Sequence, residues 1–201
     1  MMLQIKLKNM VCGIGNQLRY VDRFSTCRRN HKENIAEHQF FTAFFTLLIC
    51  EHCDPPVDKG RALARALIHD VEEHYTGDII RPVKHGSEAL EEAMEKTGME
   101  FTLKLFQSVT CNKYIAETMT RYWKDAKDAT QEGRIVRFAD YLSVLAYLHQ
   151  EVKSGNRLVM ENVNQLEAYS LNFIGDEYEF IRPLVNQSVE LIREINDDSK
   201  N

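Results

Sequence analysis

Apolar residues recur at three- and four-residue intervals along almost the whole chain, the spacing of one face of an α-helix. No stretch shows the apolar–polar alternation of a half-buried strand. Residues 34–51 form a strongly apolar helix, ended by Cys53-Asp54-Pro55-Pro56. Asp58 reads as the N-cap of a second helix, which reaches about Tyr75 and stops near Gly77. Residues 78–86, containing Arg81-Pro82-Val83-Lys84, read as a loop. Helical segments follow over 87–107 and 112–128. Gly133 starts a long helix that runs to Lys153 and closes at Ser154-Gly155-Asn156. Residues 158–196 give one or two amphipathic helices with a break near Gly175. The pattern predicts an all-α fold.

Composition narrows this picture. At 201 residues, 44% hydrophobic and 27% charged, the chain is expected to form one domain over residues 1–201, with a core of useful size. A net charge of −5 provides no general basic surface for nucleic acid or an anionic membrane, so no stable nucleic-acid partner is expected. Any phosphate chemistry must rest on a few placed cations and a metal. No apolar run has the length of a membrane span, and the first residues lack a signal-peptide core. Five cysteines, an odd count without framework spacing, suit reduced thiols and a cytoplasmic setting. Cys50-Glu51-His52-Cys53 has the form of half a zinc site, but no second pair follows. The plainer reading buries Cys50 at a helix end and leaves Cys53 in the next loop.

The candidate chemistry centres on His69-Asp70 in the second helix. With His38 upstream and Asp140 downstream, two imidazoles and two carboxylates have the right character to hold one divalent transition metal. Such an ion polarises a phosphoryl oxygen and lowers the pKa of bound water. Glu73 lies four residues after His69 and three after Asp70, so helical spacing sets it beside both, as general base toward water or general acid toward a leaving oxygen. Each residue also has a plainer reading. His38, before Gln39-Phe40-Phe41, fits a hydrogen-bonded core histidine. Asp140 fits a partner of Arg134 or Arg137, although buried carboxylates are uncommon unless paired or metal-bound. Glu72 reads as a solvated acid, and Glu73 alone would do the same. For phosphate the candidate cations are Arg23, Arg28, Arg29 and Lys84, and arginine's planar fork can hold two oxygens at once.

The flanks make a specific match. Arg23-Phe24, Glu33-Asn34-Ile35-Ala36-Glu37-His38, His69-Asp70-Val71-Glu72-Glu73, Thr76-Gly77-Asp78 with Pro82-Val83-Lys84, and Phe138-Ala139-Asp140 occur in that order. The chain thereby resembles the HD-domain 5′-deoxynucleotidases, a branch of the HD phosphohydrolases. The likeness covers about Arg23 to Lys84 and Arg134 to Asn156; elsewhere the two match only in being helical. The resemblance implies a compact helical bundle of the HD-domain type, often a homodimer, using Co²⁺, Mn²⁺ or Zn²⁺ on deoxynucleotide substrates. By position it makes His38, His69, Asp70 and Asp140 the metal ligands, Arg23 a phosphate ligand and Glu73 the manager of the attacking water. Asp78 would contact the sugar, at its 3′-hydroxyl. Phe24 stands where the family commonly has tryptophan against C2′, a bulk that disfavours a ribose hydroxyl. The expected reaction converts a deoxynucleoside 5′-monophosphate to deoxynucleoside and phosphate. Arg81 departs from the monophosphate enzymes, which tend to be uncharged there. With Lys84 and His85 it suggests the alternative of phage relatives that release triphosphate from deoxynucleoside triphosphates. A nucleotide-binding module without turnover is the competing class, and the retained Glu73 argues against it.

Overall fold

The structure, a computed structural model, describes residues 5–198. After short helical turns between Leu7 and Tyr20, the fold is built from α1 (Ile35–Glu51), α2 (Lys59–Ile68), α3 (Glu73–Thr76), α4 (Arg81–Lys84), α5 (Glu88–Val109), α6 (Lys113–Lys124), α7 (Gln131–Lys153), α8 (Met160–Ser170) and α9 (Arg182–Asp198). Only isolated bridges, Ile5–Thr110 and Asp22–Asn34, interrupt the all-α character among the described residues.

Side-chain caps explain most of the boundaries. Asn34 accepts from the Glu37 N–H while Glu37 accepts from the Asn34 N–H, a reciprocal box that satisfies two orphan donors at the start of α1. Asp58 caps α2 as its position predicts, accepting from Arg61 N–H at 2.9 Å. Ser87, Asn112 and Thr130 cap α5, α6 and α7 in the same way.

Three expectations need correcting. The second helix does not run on to Tyr75: α2 ends at Ile68 and the chain tightens into i→i+3 turns at His69–Glu72. His69 Nδ1 takes the Ala66 carbonyl at 2.8 Å, the acceptor that an Asp70 N–H would use in a continued helix. Residues 81–84 are helical, because a proline in the first turn costs no hydrogen bond there. Gly133 is not the start of α7, which begins two residues earlier behind Thr130. Glycine is needed because the Asp128 backbone passes so close that a Cβ would meet its carbonyl oxygen at 2.5 Å.

α1, α2 and α7 pack against one another at the centre. The buried faces of α8 and α9, with Val163, Leu166, Val185, Ile192 and Ile195, close on Phe138, Tyr141, Leu145 and Leu148 of α7. The apolar face over 172–195 is thus spent largely within the chain. On the other flank Leu105, Phe106 and Ala116 of α5 and α6 join Ile35, Ile68 and Val71 in a second cluster. The segment before α1 is tied to α7 by Glu151, fully buried, whose carboxylate accepts the Asn30 and His31 N–H groups at 2.8 and 2.7 Å. That tie fixes the loop carrying Arg23 and Phe24 over the middle of the bundle. Cys50 is buried at the end of α1 and Cys53 lies in the following loop, as the plainer reading had it.

Candidate active site

The three central helices bring His38, His69, Asp70 and Asp140 to one point. His38 is completely buried, and Ser143, one turn beyond Asp140 on α7, engages its Nδ1 at 3.0 Å. His69 donates its Nδ1–H to the Ala66 carbonyl, which leaves Nε2 as a bare lone pair. The two Nε2 atoms stand 3.3 Å apart. Asp140 Oδ1 lies 2.9 Å from His38 Nε2 and 3.9 Å from His69 Nε2, while Asp70 Oδ2 lies 3.5 and 3.1 Å from the same atoms. Lone pairs crowded this closely repel unless positive charge sits among them. Two imidazole nitrogens with two carboxylate oxygens therefore fit a divalent transition ion. Burial, reinforced by the Arg23 charge, lowers the His38 pKa to about 4, so the ring is neutral at physiological pH, as a ligand must be. The core-histidine reading was half right: the ring is hydrogen-bonded inside the core and also faces the cluster.

Asp140 pairs with neither Arg134 nor Arg137. Its partner is Lys127, whose Nζ reaches Oδ2 at 2.6 Å from the loop between α6 and α7. Burial opposes ionisation of Asp140, but Lys127 outweighs it and holds the carboxyl well below the usual range.

A second acidic group adjoins the first. Asp70, Glu72 and Glu73 present oxygens close to one another, all three residues buried. Glu72 is not a solvated acid: the tight turn rotates it inward, where the Trp123 indole N–H donates to it and Lys84 lies 3.8 Å away. Glu73 is not a surface acid either. Burial, then the Asp70 and Glu72 charges, raise its pKa well above the ordinary value, and its Oε2 is buried without a hydrogen-bond partner.

The cations are distributed around these acids. Arg23 sets Nε 3.5 Å from Glu33 and one terminal nitrogen, Nη1, 3.9 Å from Asp70. That nitrogen and Glu33 Oε2 are buried without hydrogen-bond partners. Arg29 faces away, donating to the Arg23 carbonyl and to Asp22, and Arg28 is exposed. Burial works against the charge on Lys84, but Asp70, Glu72 and Glu73 outweigh it and raise its pKa. Arg81 instead stacks over Tyr169 of α8, 3.9 Å from the ring centroid.

Phe24 and Asp78 form a pair. Phe24 adopts φ 52°, a left-handed conformation that an aromatic residue enters only under constraint. Asp78 Oδ2 accepts its N–H at 2.9 Å and Tyr147 stacks on its ring at 4.7 Å, 12° from parallel. All the predicted site residues except Arg28, Arg29 and Arg81 therefore meet at or beside the cluster. Lys127, Glu33, Ser143 and Trp123 were not singled out. Ser143 was findable, three residues after Asp140 on one helix; Lys127 sits in a charged stretch that reads as solvated surface.

The family model described as 5′-deoxynucleotidase YfbR-like matches residues 12–176. A 5′-deoxynucleotidase of Pasteurella multocida is 23% identical over 169 residues, covering 82% of this chain and 86% of that protein. An HD-domain phosphohydrolase of Listeria innocua superposes with a TM-score of 0.71 at 20% identity, over 95% of this chain and 98% of the other. The HD phosphohydrolase of cyanophage S-2L, solved with dA and one catalytic Zn²⁺ ion, gives a TM-score of 0.55 at 16% identity, over 87% and 93%.

Proposed function

The chain belongs to the 5′-deoxynucleotidase YfbR-like family, and on that footing we propose that it hydrolyses 2′-deoxynucleoside 5′-monophosphates to deoxynucleoside and orthophosphate. The observation that carries this is the convergence of two imidazole nitrogens and two carboxylate oxygens beside a buried, uncommitted Glu73. His38, His69, Asp70 and Asp140 would hold one divalent transition ion, Co²⁺, Mn²⁺ or Zn²⁺. Bound there, such an ion polarises the phosphoryl group and favours ionisation of water near neutral pH.

The remaining roles belong to the chain itself. Arg23 turns a guanidinium nitrogen toward Asp70 and receives two phosphate oxygens. Water attacks phosphorus, the P–O5′ bond breaks, and the proton released by the water balances the one taken up by the leaving O5′. Glu73, whose pKa is raised by burial and by the Asp70 and Glu72 charges, is the acid placed to supply O5′. Phe24, braced by Tyr147 and Asp78, forms a wall for C2′ of the sugar. The free Asp78 oxygen stands for the 3′-hydroxyl. The triphosphate alternative asked Arg81 to extend the grip of Lys84; Arg81 is engaged on Tyr169 instead, and the similarity to 5′-deoxynucleotidases supports the monophosphate. The free cysteines accord with a cytoplasmic setting.

The test is a product assay on metal-stripped protein resupplied with Co²⁺, Mn²⁺, Zn²⁺ or Mg²⁺. Deoxynucleoside monophosphates, triphosphates and ribose counterparts are offered, and nucleoside, orthophosphate and triphosphate are separated. Nucleoside with orthophosphate is expected from the monophosphates, with turnover abolished by Asp70→Ala in a folded protein. Full activity of metal-loaded Asp70→Ala would refute the site; nucleotide binding without product under every metal would make the protein a binding module.

A further inference from the structure

Among the cations at the site, Lys127 is held with the most machinery. Both Nη atoms of the buried Arg65 grip Asp128, the next residue, at 3.0 and 3.1 Å. Nη1 also reaches Thr130 at 2.8 Å. Arg137 donates to the Lys127 carbonyl, and the Asp128 backbone is pressed against Gly133 too closely for any side chain there. The backbone at Lys127 is thus fixed from α2 and from two points on α7. A surface counter-ion needs none of this, since an exposed ion pair contributes little and tolerates a mobile lysine.

The ammonium is placed accordingly. It takes Asp140 Oδ2, the oxygen turned away from His38, while Oδ1 faces the imidazole. A lysine ammonium has three N–H donors, and Asp140 is the one hydrogen-bond partner of the Lys127 ammonium among the described residues. The Lys127 side chain is only part-exposed, and the Asp70 charge acts on the ammonium along with that of Asp140, so the remaining donors lie beside the carboxylate cluster. Arg23 approaches the same cluster from the segment before α1.

Resting on the phosphohydrolase reading above, we propose that Lys127 is a second phosphate-binding cation. One donor stays on Asp140 and the other two take non-bridging oxygens of the substrate's 5′-phosphate, alongside Arg23. A phosphoryl dianion then meets fixed positive charge from two separate parts of the fold. A charge already held in place costs no reorganisation as negative charge shifts during transfer.

Inorganic phosphate is the probe, titrated calorimetrically into Co²⁺-loaded protein. Lys127→Gln retains a donor for Asp140 and removes the charge; Lys127→Met removes both and provides a second comparison if one variant folds poorly. With metal stoichiometry unchanged, phosphate binding is expected to weaken by about tenfold or more, the loss of a charge-assisted hydrogen bond to an anion. Lys127→Arg should recover most of it, and KM for the deoxynucleotide should rise in parallel. Phosphate affinity within about threefold of the parent, or loss of the metal from both neutral variants, would overturn the proposal and leave Lys127 as a counter-ion for Asp140. Parent protein that binds phosphate but turns over no deoxynucleotide would sink the nucleotidase reading instead, and the phosphate comparison would still decide Lys127.

Discussion

Glu33 is a buried acid surrounded by influences of opposite sign. Burial raises its pKa, Arg23 lowers it, and the negative charges of Glu37, Asp140 and Asp78 raise it again, with a net result of about 7 against an ordinary 4.5. An acid whose folded pKa is raised contributes its full stability while protonated, below the unfolded value, and loses it as pH rises through the folded one. Between pH 4.5 and pH 8, therefore, the parent should lose roughly 3 kcal/mol relative to Glu33→Gln, which stays neutral throughout. Urea denaturation of the metal-free proteins at both pH values measures this. A difference that does not change with pH would mean that Arg23 keeps Glu33 ionised in both. The residue was in view in the sequence, inside Glu33-Asn34-Ile35-Ala36-Glu37-His38, yet nothing local marks it as buried. Its burial comes from the Arg23 loop folding over it, and that contact is set by Glu151 far along the chain.

Among the elements, those with strong periodicity and a capping side chain were legible: α1, α5 and α6 begin directly after Asn34, Ser87 and Asn112. The missed features depend on tertiary competition. His69–Glu72 has the pattern of a continuing helix, but a side-chain bond to Ala66 and the inward turn of Glu72 toward Trp123 and Lys84 tighten it instead. The same turn delivers Glu73 to Asp70, so the expected neighbourhood was right although the helical spacing behind it was not. Gly133 illustrates the other limit, since a glycine in sequence does not say what passes beside it. Adding one methyl there forces the Asp128 backbone outward, and Lys127 moves with it. Gly133→Ala should cost about 1–3 kcal/mol by overpacking, or about 2–12 °C in Tm for a chain of this size. It should also lower turnover, because the shift reaches a site cation. Unchanged melting and unchanged kinetics would show the 127–130 segment to be free to move without consequence.

For the molecule as a whole, the donor atoms of the site join its three central pieces: His38 from α1, His69 and Asp70 from the turn ending α2, and Asp140 from α7. Which residues would meet was legible because histidines and aspartates on apolar helices are unusual. The meeting itself is a property of the packing, with the C-terminal helices closing one side and the α5–α6 pair the other. Unfolding must separate these residues, so an ion that binds them in the folded protein and not in the unfolded chain would stabilise the fold by mass action. At free metal one hundred times its dissociation constant this amounts to about 2.7 kcal/mol. For a chain of this length that corresponds to about 5–10 °C in Tm. Thermal melts with added Co²⁺ or Zn²⁺, reversed by a chelator, should show the shift in the parent and lose it in His69→Ala. The metal-free comparison carries a sign of its own. Removing one imidazole relieves the crowding of lone pairs around Nε2 but opens a cavity beside Ala66, and cavity terms at buried positions are commonly the larger. His69→Ala should therefore melt below the metal-free parent. A variant that melted higher would mean that the fold bears the crowded cluster at a net cost in stability, recovered only when an ion is bound.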